Sequence, residues 1–404
     1  MSECIPHVGL AEHRTGGWPE LSVGWWRRVL WVAWGAFAAA GAVGVAQRFL
    51  LGHLPAGYGS YVPWGLWVGL YFHGVGIAGG AFVLAGLGYA FGLPGFRQPA
   101  VLRVAIVLAL AAIIPAFLGI WLDLGRMERA AYIFLSPSFT SMMAFNAWLY
   151  NGFIVLAAIC WLLSYRPSST WLKPLLCLGA LLSAFIPSQS GSFFGVVDAK
   201  AYWHSALLPV LFVTSAITAG SATLLVVRMM LGRGDMPAEE HATAIRQLRM
   251  VTLGALVFYF FLEFAEFSIA LWNPYGHDKA LDLVFFGPYW WLFWIVHVVL
   301  GGLVPFVMLV QRGWRRWMIG SLLVAVAFVS VRLSVLVPGQ AVGEIRGLQE
   351  AYQHPRLTYI YHATPMEYLV GLLMLAAGMA IFYVGRRISE RLAEHVQHTP
   401  RGKP

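Results

Sequence analysis

The chain has 404 residues, 59% of them hydrophobic and only 11% charged, against roughly 45–50% and about 25% in soluble domains, which excludes water as its main solvent. Its net charge of +9 would suggest nucleic acid in a soluble protein. Here the basic residues flank apolar blocks, so they read as membrane topology, and the partner expected is the lipid bilayer with no nucleic acid.

The first 24 residues are polar and lack an apolar signal core, so residues 1–27 are expected to form a cytoplasmic N-terminal segment and the first span to direct insertion. Apolar blocks bounded by charges, Pro and Gly follow near 28–49, 63–91, 101–122, 144–164, 172–187, 204–231, 248–271, 286–310, 317–337 and 365–385. A bilayer core of about 30 Å takes around 20 helical residues, so these predict an all-α polytopic membrane protein of about ten transmembrane helices. The fifth block is the shortest and ends at Pro187. A closed barrel is not expected, because its strands would alternate in polarity over short stretches.

With ten spans, both termini share a side with the loops after helices 2, 4, 6 and 8, and that side carries 19 of the 27 Lys and Arg residues. The pairs Arg27-Arg28 and Arg386-Arg387, and Arg312 with Arg315-Arg316, sharpen the bias. The positive-inside rule then puts both termini in the cytoplasm of a bacterial cell and the chain in its cytoplasmic membrane. The longer loops, roughly 123–143, 188–203, 272–285 and 338–364, face outward.

In helix 2, Val75-Gly-Ile-Ala-Gly-Gly-Ala81 can be laid over Ala216-Ile-Thr-Ala-Gly-Ser-Ala222 in helix 6. The two helices run in the same direction, which suggests two parallel four-helix bundles with helices 1 and 10 outside. Small residues also recur wherever membrane helices pack closely. On this reading residues 28–62 hold the first helix and an outer loop, 63–203 the first bundle, 204–337 the second, and 338–404 an outer loop, the last helix and a cytoplasmic tail.

Charge in hydrocarbon is costly, so intramembrane polar residues are the first candidates for function. Asp123 and Arg126 end helix 3, Gln189 follows helix 5, His204 opens helix 6 and Glu367 opens helix 10, all toward the outer side. Glu263 and Glu266 lie three apart on one face of helix 7, and Arg332 is in the outer half of helix 9; they suggest either an ion pair or a proton relay. His73 and His297 fall near mid-depth, where a satisfied core histidine is the ordinary outcome. Cys4, Cys160 and Cys177 are scattered and form no CxxC pattern, so no metal site is expected. A quinol needs an apolar slot with hydrogen-bonding groups at its oxygens. Tyr71 and His73 beside the helix 2 glycines, with Gln189 and Asp123 near its outer end, suit that need, although the chain has no electron carrier of its own.

Several stretches resemble the NrfD and polysulfide-reductase membrane-subunit family, whose ten-helix branch serves periplasmic hydrogenases and sulfur-respiring complexes. They are Tyr61-Val-Pro-Trp-Gly-Leu-Trp67, the following Gly-Ala-rich turn, Asp123-Leu-Gly-Arg126, Leu135-Ser-Pro-Ser-Phe-Thr-Ser-Met142, Ser188-Gln-Ser-Gly191, Trp203-His-Ser-Ala-Leu-Leu-Pro209 and Tyr359-Ile-Tyr-His-Ala-Thr-Pro-Met-Glu367. The resemblance implies a subunit of a respiratory oxidoreductase complex, with quinone or menaquinone as substrate and neither heme nor iron-sulfur cluster in this chain. It implies a ferredoxin-like iron-sulfur partner on the periplasmic side, feeding a molybdopterin or hydrogenase catalytic subunit. Carried over by position, the quinone contacts are Trp67, Tyr71, His73, Asp123 and Gln189, with His73, Asp123 and Gln189 as the catalytic groups. The family's helix 2 histidine falls on Tyr71, leaving His73 turned by about 200°, and Ser188 stands where the ten-helix branch often has His. Two other functions fit the residues alone: a b-type cytochrome with heme on His73 and His297, and a secondary transporter.

Overall fold

The computed structural model describes residues 23–398 except 167–168, 235, 273–277, 344, 346, 348–350, 353 and 355–356. The expected N-terminal segment therefore lies outside the described residues up to residue 22. Among the described residues there is no strand, and ten helices are long and apolar enough to cross a membrane. They are α1 (Val23–Leu51), α2 (Leu66–Ala90), α3 (Pro99–Asp123), α4 (Met142–Leu163), α5 (Leu172–Gly195), α6 (Leu208–Leu231), α7 (Ala238–Trp272), α8 (Leu292–Val310), α9 (Trp314–Ala341) and α10 (Pro365–His398). The chain is a multi-pass integral membrane protein. Both ends of the described chain lie on one side, here the terminal side; the loops after α1, α3, α5, α7 and α9 lie on the loop side.

Helices α2 to α5 pack on one another, α6 to α9 do the same, and α1 lies outside along α10, which rests on α3. The two bundles meet where α2 crosses α6, and the Gly-Ala stretches that suggested a repeat face each other there. A Cβ on Gly80 would lie 2.0 Å from the Ala216 carbonyl oxygen, and one on Gly220 would lie 2.5 Å from the Ala81 nitrogen. The small residues thus let two backbones touch, which compensates for the missing hydrophobic drive between helices in lipid. Gly80→Val would force those backbones apart and is expected to abolish the monodisperse, folded protein in detergent. Gly35→Leu, on a helix face with nothing within 4 Å of the glycine, should leave it intact; size-exclusion profiles of the two variants decide the matter.

Several helices outrun their apolar blocks. α5 continues through Pro187 to Gly195. Proline cannot donate to the Ser183 carbonyl, and that oxygen turns toward α2, where a Cβ on Gly79 would approach it to 2.6 Å. α7 starts ten residues before position 248 and α10 runs to His398, since a helix propagates through polar residues once it leaves the bilayer. A short helix, Asp278–Phe285, precedes α8, which therefore begins at Leu292 and not at 286. α6 begins at Leu208, leaving His204 in the preceding loop.

Two irregularities sit in the second bundle. The first twelve residues of α8, Leu292–Leu303, are wound as a π-helix, a rare geometry that is frequent at functional sites. α9 is interrupted at Phe328, between Trp314–Ala327 and Val329–Ala341.

Candidate functional site

The last turn of α1, the loop to α2, the end of α3 and the start of α10 converge on the loop side. Arg48 is buried and reaches the end of α3, donating from Nε to the Leu122 carbonyl (2.8 Å) and from Nη2 to that of Leu124 (2.8 Å). These are carbonyls a helix end leaves without an intrahelical donor, and a cation suits them. Asp123 lies between the two.

The loop is clamped from the other side by Glu367, fully buried in the first turn of α10. Its carboxylate accepts from the Gly57 N–H (3.0 Å), the Thr364 N–H (2.9 Å), the Thr364 hydroxyl (3.1 Å) and the Tyr361 hydroxyl (2.6 Å). The Tyr361 oxygen accepts in turn from the Leu66 N–H at 2.7 Å, and Trp67 Nε1 donates to the Glu367 carbonyl at 2.9 Å. Burial and Glu367 hold the Tyr361 hydroxyl far above its ordinary value, so it stays a donor. Gly57 is required here, because a Cβ would collide with the His362 carbonyl at 2.0 Å.

Inside this clamp the rings of His53, Tyr58 and Trp67 are mutually close. His53 and Tyr58 lie 5.5 Å apart, and each is 6.2 Å from Trp67, which shares an apolar cluster with Leu122. Three polar atoms buried there, His53 Nε2, Tyr58 Oη and Asp123 Oδ1, make no hydrogen bond of good geometry with a described residue, although the Tyr58 hydroxyl and the Asp123 carboxyl face each other. Buried polar groups are nearly always paired, and an orphan costs about 1–3 kcal/mol, so a small polar molecule bound here would satisfy them. Burial, then Arg48, lower the His53 pKa, while burial and Asp123 raise that of Tyr58. Both groups are therefore neutral at neutral pH. At the seam with α3, Phe49 and Trp121 stack edge to face at 6.4 Å, and both are exposed to the lipid zone.

A second polar group lies in the α6–α9 bundle. Tyr259 donates to Glu263 Oε1 (2.7 Å), His297 Nε2 meets Glu263 Oε2 (2.9 Å) and Ser330 Oγ meets His297 Nδ1 (3.2 Å). His297 sits on the π-helical part of α8 and Ser330 just past the break in α9. The expected ion pair of Glu263 or Glu266 with Arg332 does not form among the described residues. Arg332 Nη2 donates to the Phe212 carbonyl at 3.2 Å, and the guanidinium lies 4.0 Å over the Phe212 ring, close to Gly76 at the bundle interface. Its Nη1 is buried and unpartnered. Glu266 is half-buried, one turn beyond Glu263.

The predicted site residues are thus divided. Trp67 and Asp123 meet on the loop side. Tyr71 lies one turn deeper on the same face of α2, against Tyr150 and Phe117, and Tyr150 is bonded to Ser190 at 2.9 Å. His73 points to the other side, with Nε2 on the Ala325 carbonyl at 2.8 Å. Gln189 is half-buried within α5, which packs on α2, α4 and α6. Arg126 and His204 are exposed, beside Glu128 and Asp198 respectively. His297 has both ring nitrogens engaged by protein groups, which suits proton exchange better than ligation of a heme iron. Sequence reasoning passed over Arg48, His53 and Tyr58; a polar and aromatic loop starting four residues after a membrane arginine was the available signal.

This architecture, ten membrane helices with a polar, aromatic-walled site at one rim, defines an integral membrane subunit and not a soluble enzyme. The family described as Polysulphide reductase, NrfD matches residues 56–344, and the chain belongs to that family. It is similar to a selenate reductase subunit of Mesobacillus selenatarsenatis, with 25% identity over 85% of this chain and 91% of the relative. It is also similar to the Hdr-like menaquinol oxidoreductase integral membrane subunit of Archaeoglobus fulgidus, with 27% identity over 84% and 89%. Protein NrfD of Escherichia coli is 23% identical over 61% of this chain and 83% of its own length. The chain is accordingly of the kind that anchors oxidoreductase complexes in the membrane.

Proposed function

We propose that this chain is the quinone-reactive membrane subunit of a respiratory oxidoreductase complex in a bacterial cytoplasmic membrane, exchanging electrons between the quinone pool and an iron-sulfur subunit docked on the loop side. The observation that carries this reading is the trio of buried polar atoms on His53, Tyr58 and Asp123, beside the ring of Trp67. A quinol is a flat apolar ring with two hydroxyls and a long tail. Trp67 and Leu122 offer the ring an apolar wall, the three polar atoms offer partners to its oxygens, and the Phe49–Trp121 seam lets the tail reach lipid. The menaquinol in the name of the Archaeoglobus relative agrees with such a substrate.

On this reading quinol oxidation breaks two O–H bonds, yielding quinone, two protons and two electrons. Asp123 Oδ1 accepts the first proton. His53, neutral before the reaction because of its burial beside Arg48, holds the second oxygen and accepts the second proton at its ring nitrogen, both protons then leaving to the loop side, and Tyr58 closes the slot. The electrons pass to the iron-sulfur partner, which serves a molybdopterin or hydrogenase catalytic subunit. The excess of basic residues on the terminal side supports a loop side, and hence a partner, in the periplasm. Tyr71 lies one turn deeper on α2, His73 turns to the Ala325 carbonyl, and Gln189 stands on α5.

Photoaffinity labelling of the purified complex with an azido-quinone tests the reading. Label competed by menaquinone is expected on residues 53–67 and 121–123. Competed label at Tyr71 and Tyr150, or at Glu263 and His297, would move the site, and no competed label on this chain would remove the quinone role. A second reading concerns the Glu263, His297, Tyr259 and Ser330 group, which we assign to proton exchange because a carboxylate and an imidazole share a hydrogen bond away from water.

A further inference from the structure

On the terminal side, at the opposite end of α3 from Asp123, the start of α3, residues of the α4–α5 connection and the last turns of α10 border a half-open pocket of about 550 Å³. Arg103, Arg166 and Lys173 line it together with Ser169 and Thr170, and no carboxylate lines it among the described residues. Arg103 is held in place: Nε donates to Ser164 Oγ (3.2 Å), Nη2 to the Ser164 carbonyl (2.7 Å), and the guanidinium stacks 4.0 Å over Tyr165. Its Nη1 takes no hydrogen bond with a described residue. The remaining wall is apolar, with Leu172 at the base and Ala393 and Val396 on α10.

The position of this cavity says what would fill it. It lies at the level where α2 and α4 end and α3 and α5 begin, the rim of the bilayer on that side, where lipid phosphates are found. Three cations and two hydroxyls above an apolar base match a phosphodiester that carries acyl chains. We propose that the cavity binds the headgroup of an anionic phospholipid from the surrounding leaflet, with Arg103 fixed as the central donor and Arg166 and Lys173 as mobile clamps. Bound there, the lipid ties the protruding end of α10 to α3 and α5, beside the existing bond from Trp161 Nε1 to Ser389 Oγ at 3.1 Å. α10 carries α1 and supplies Glu367, so the lipid braces the helix pair that frames the loop-side slot from its far end.

The test uses the full chain purified in mild detergent, followed by native mass spectrometry and thermal unfolding with phosphatidylglycerol, phosphatidylcholine or inorganic phosphate. Phosphatidylglycerol is expected to stay bound and to raise the unfolding temperature above that with phosphatidylcholine. Arg166 and Lys173 are exposed, so the variant R166Q/K173Q should match the wild type without lipid and bind phosphatidylglycerol at least about tenfold more weakly. R166K/K173R should retain the lipid. Equal stabilisation by phosphatidylcholine, unchanged binding in R166Q/K173Q or equal loss in R166K/K173R would overturn the proposal. A shift of the same size with inorganic phosphate would assign the cavity to a soluble phosphate and overturn it as well.

Discussion

Asp123→Asn is expected to lower quinol turnover by about 10²- to 10⁴-fold, the usual contribution of a positioned proton acceptor, while the chain still assembles. The amide has nearly the shape of the carboxyl group and keeps an oxygen at the position of the buried Oδ1, so binding of the ring should change little. What it loses is the ability to take a proton. Asp123 faces one donor, the Tyr58 hydroxyl, for which the amide oxygen of Asn remains an acceptor, unlike its neighbour Glu367, whose carboxylate gathers four donors from three residues. Glu367→Ala would strand those donors and is a poor probe of chemistry for that reason. Turnover by steady-state quinol oxidation with an artificial acceptor, set against the amount of complex on a native gel, separates the two effects. Turnover within about threefold of the wild type, far short of a general-base loss, would show that Asp123 is not the acceptor.

The helices were legible because hydrocarbon imposes a single requirement on twenty consecutive residues, and a sequence either meets it or does not. Their ends were less so, because Pro187 and the polar starts of α7 and α10 are resolved by packing and by water, which hydropathy does not weigh. The repeat in α2 and α6 was visible as small residues, but only their contact at Gly80 and Ala216 explains them. At the site, Asp123 and Trp67 could be found because they stand in or next to membrane spans. His53 and Tyr58 could not: a loop histidine and tyrosine look solvated until Glu367, some 310 positions away in sequence, draws the loop under α10. Arg332 illustrates the opposite error. Buried guanidinium and buried carboxylates were expected to seek each other, yet a ring face and a freed backbone carbonyl hold the arginine at the bundle interface, and a histidine takes the carboxylate.

That exchange of partners makes Glu263 the sharper target for a proton role. Glu263→Gln keeps an acceptor for the Tyr259 hydroxyl and a partner for His297 Nε2, so the costly outcome of leaving a buried charge alone is avoided. The variant cannot, however, carry a proton between the imidazole and the tyrosine. In vesicles containing the purified complex, the wild type is expected to move protons in excess of the two released per quinol at the loop-side slot, and Glu263→Gln to abolish that excess while electron transfer at the slot continues. The division is physically reasonable because the two sites are separate: His53, Tyr58 and Asp123 lie among α1, α3 and α10, whereas Glu263 lies among α7, α8 and α9. Toward the terminal side the second bundle offers hydroxyls first, with Thr252 bonded to Ser221 at 3.0 Å and the Ser321 oxygen buried and unpartnered, and beyond them the buried Arg228, 3.2 Å from His241 Nδ1. A proton from that side would have to pass them with water. An unchanged proton excess in Glu263→Gln would remove the relay and leave the Glu263–His297 pair as a structural tie that fixes the π-helical turn of α8 against α7.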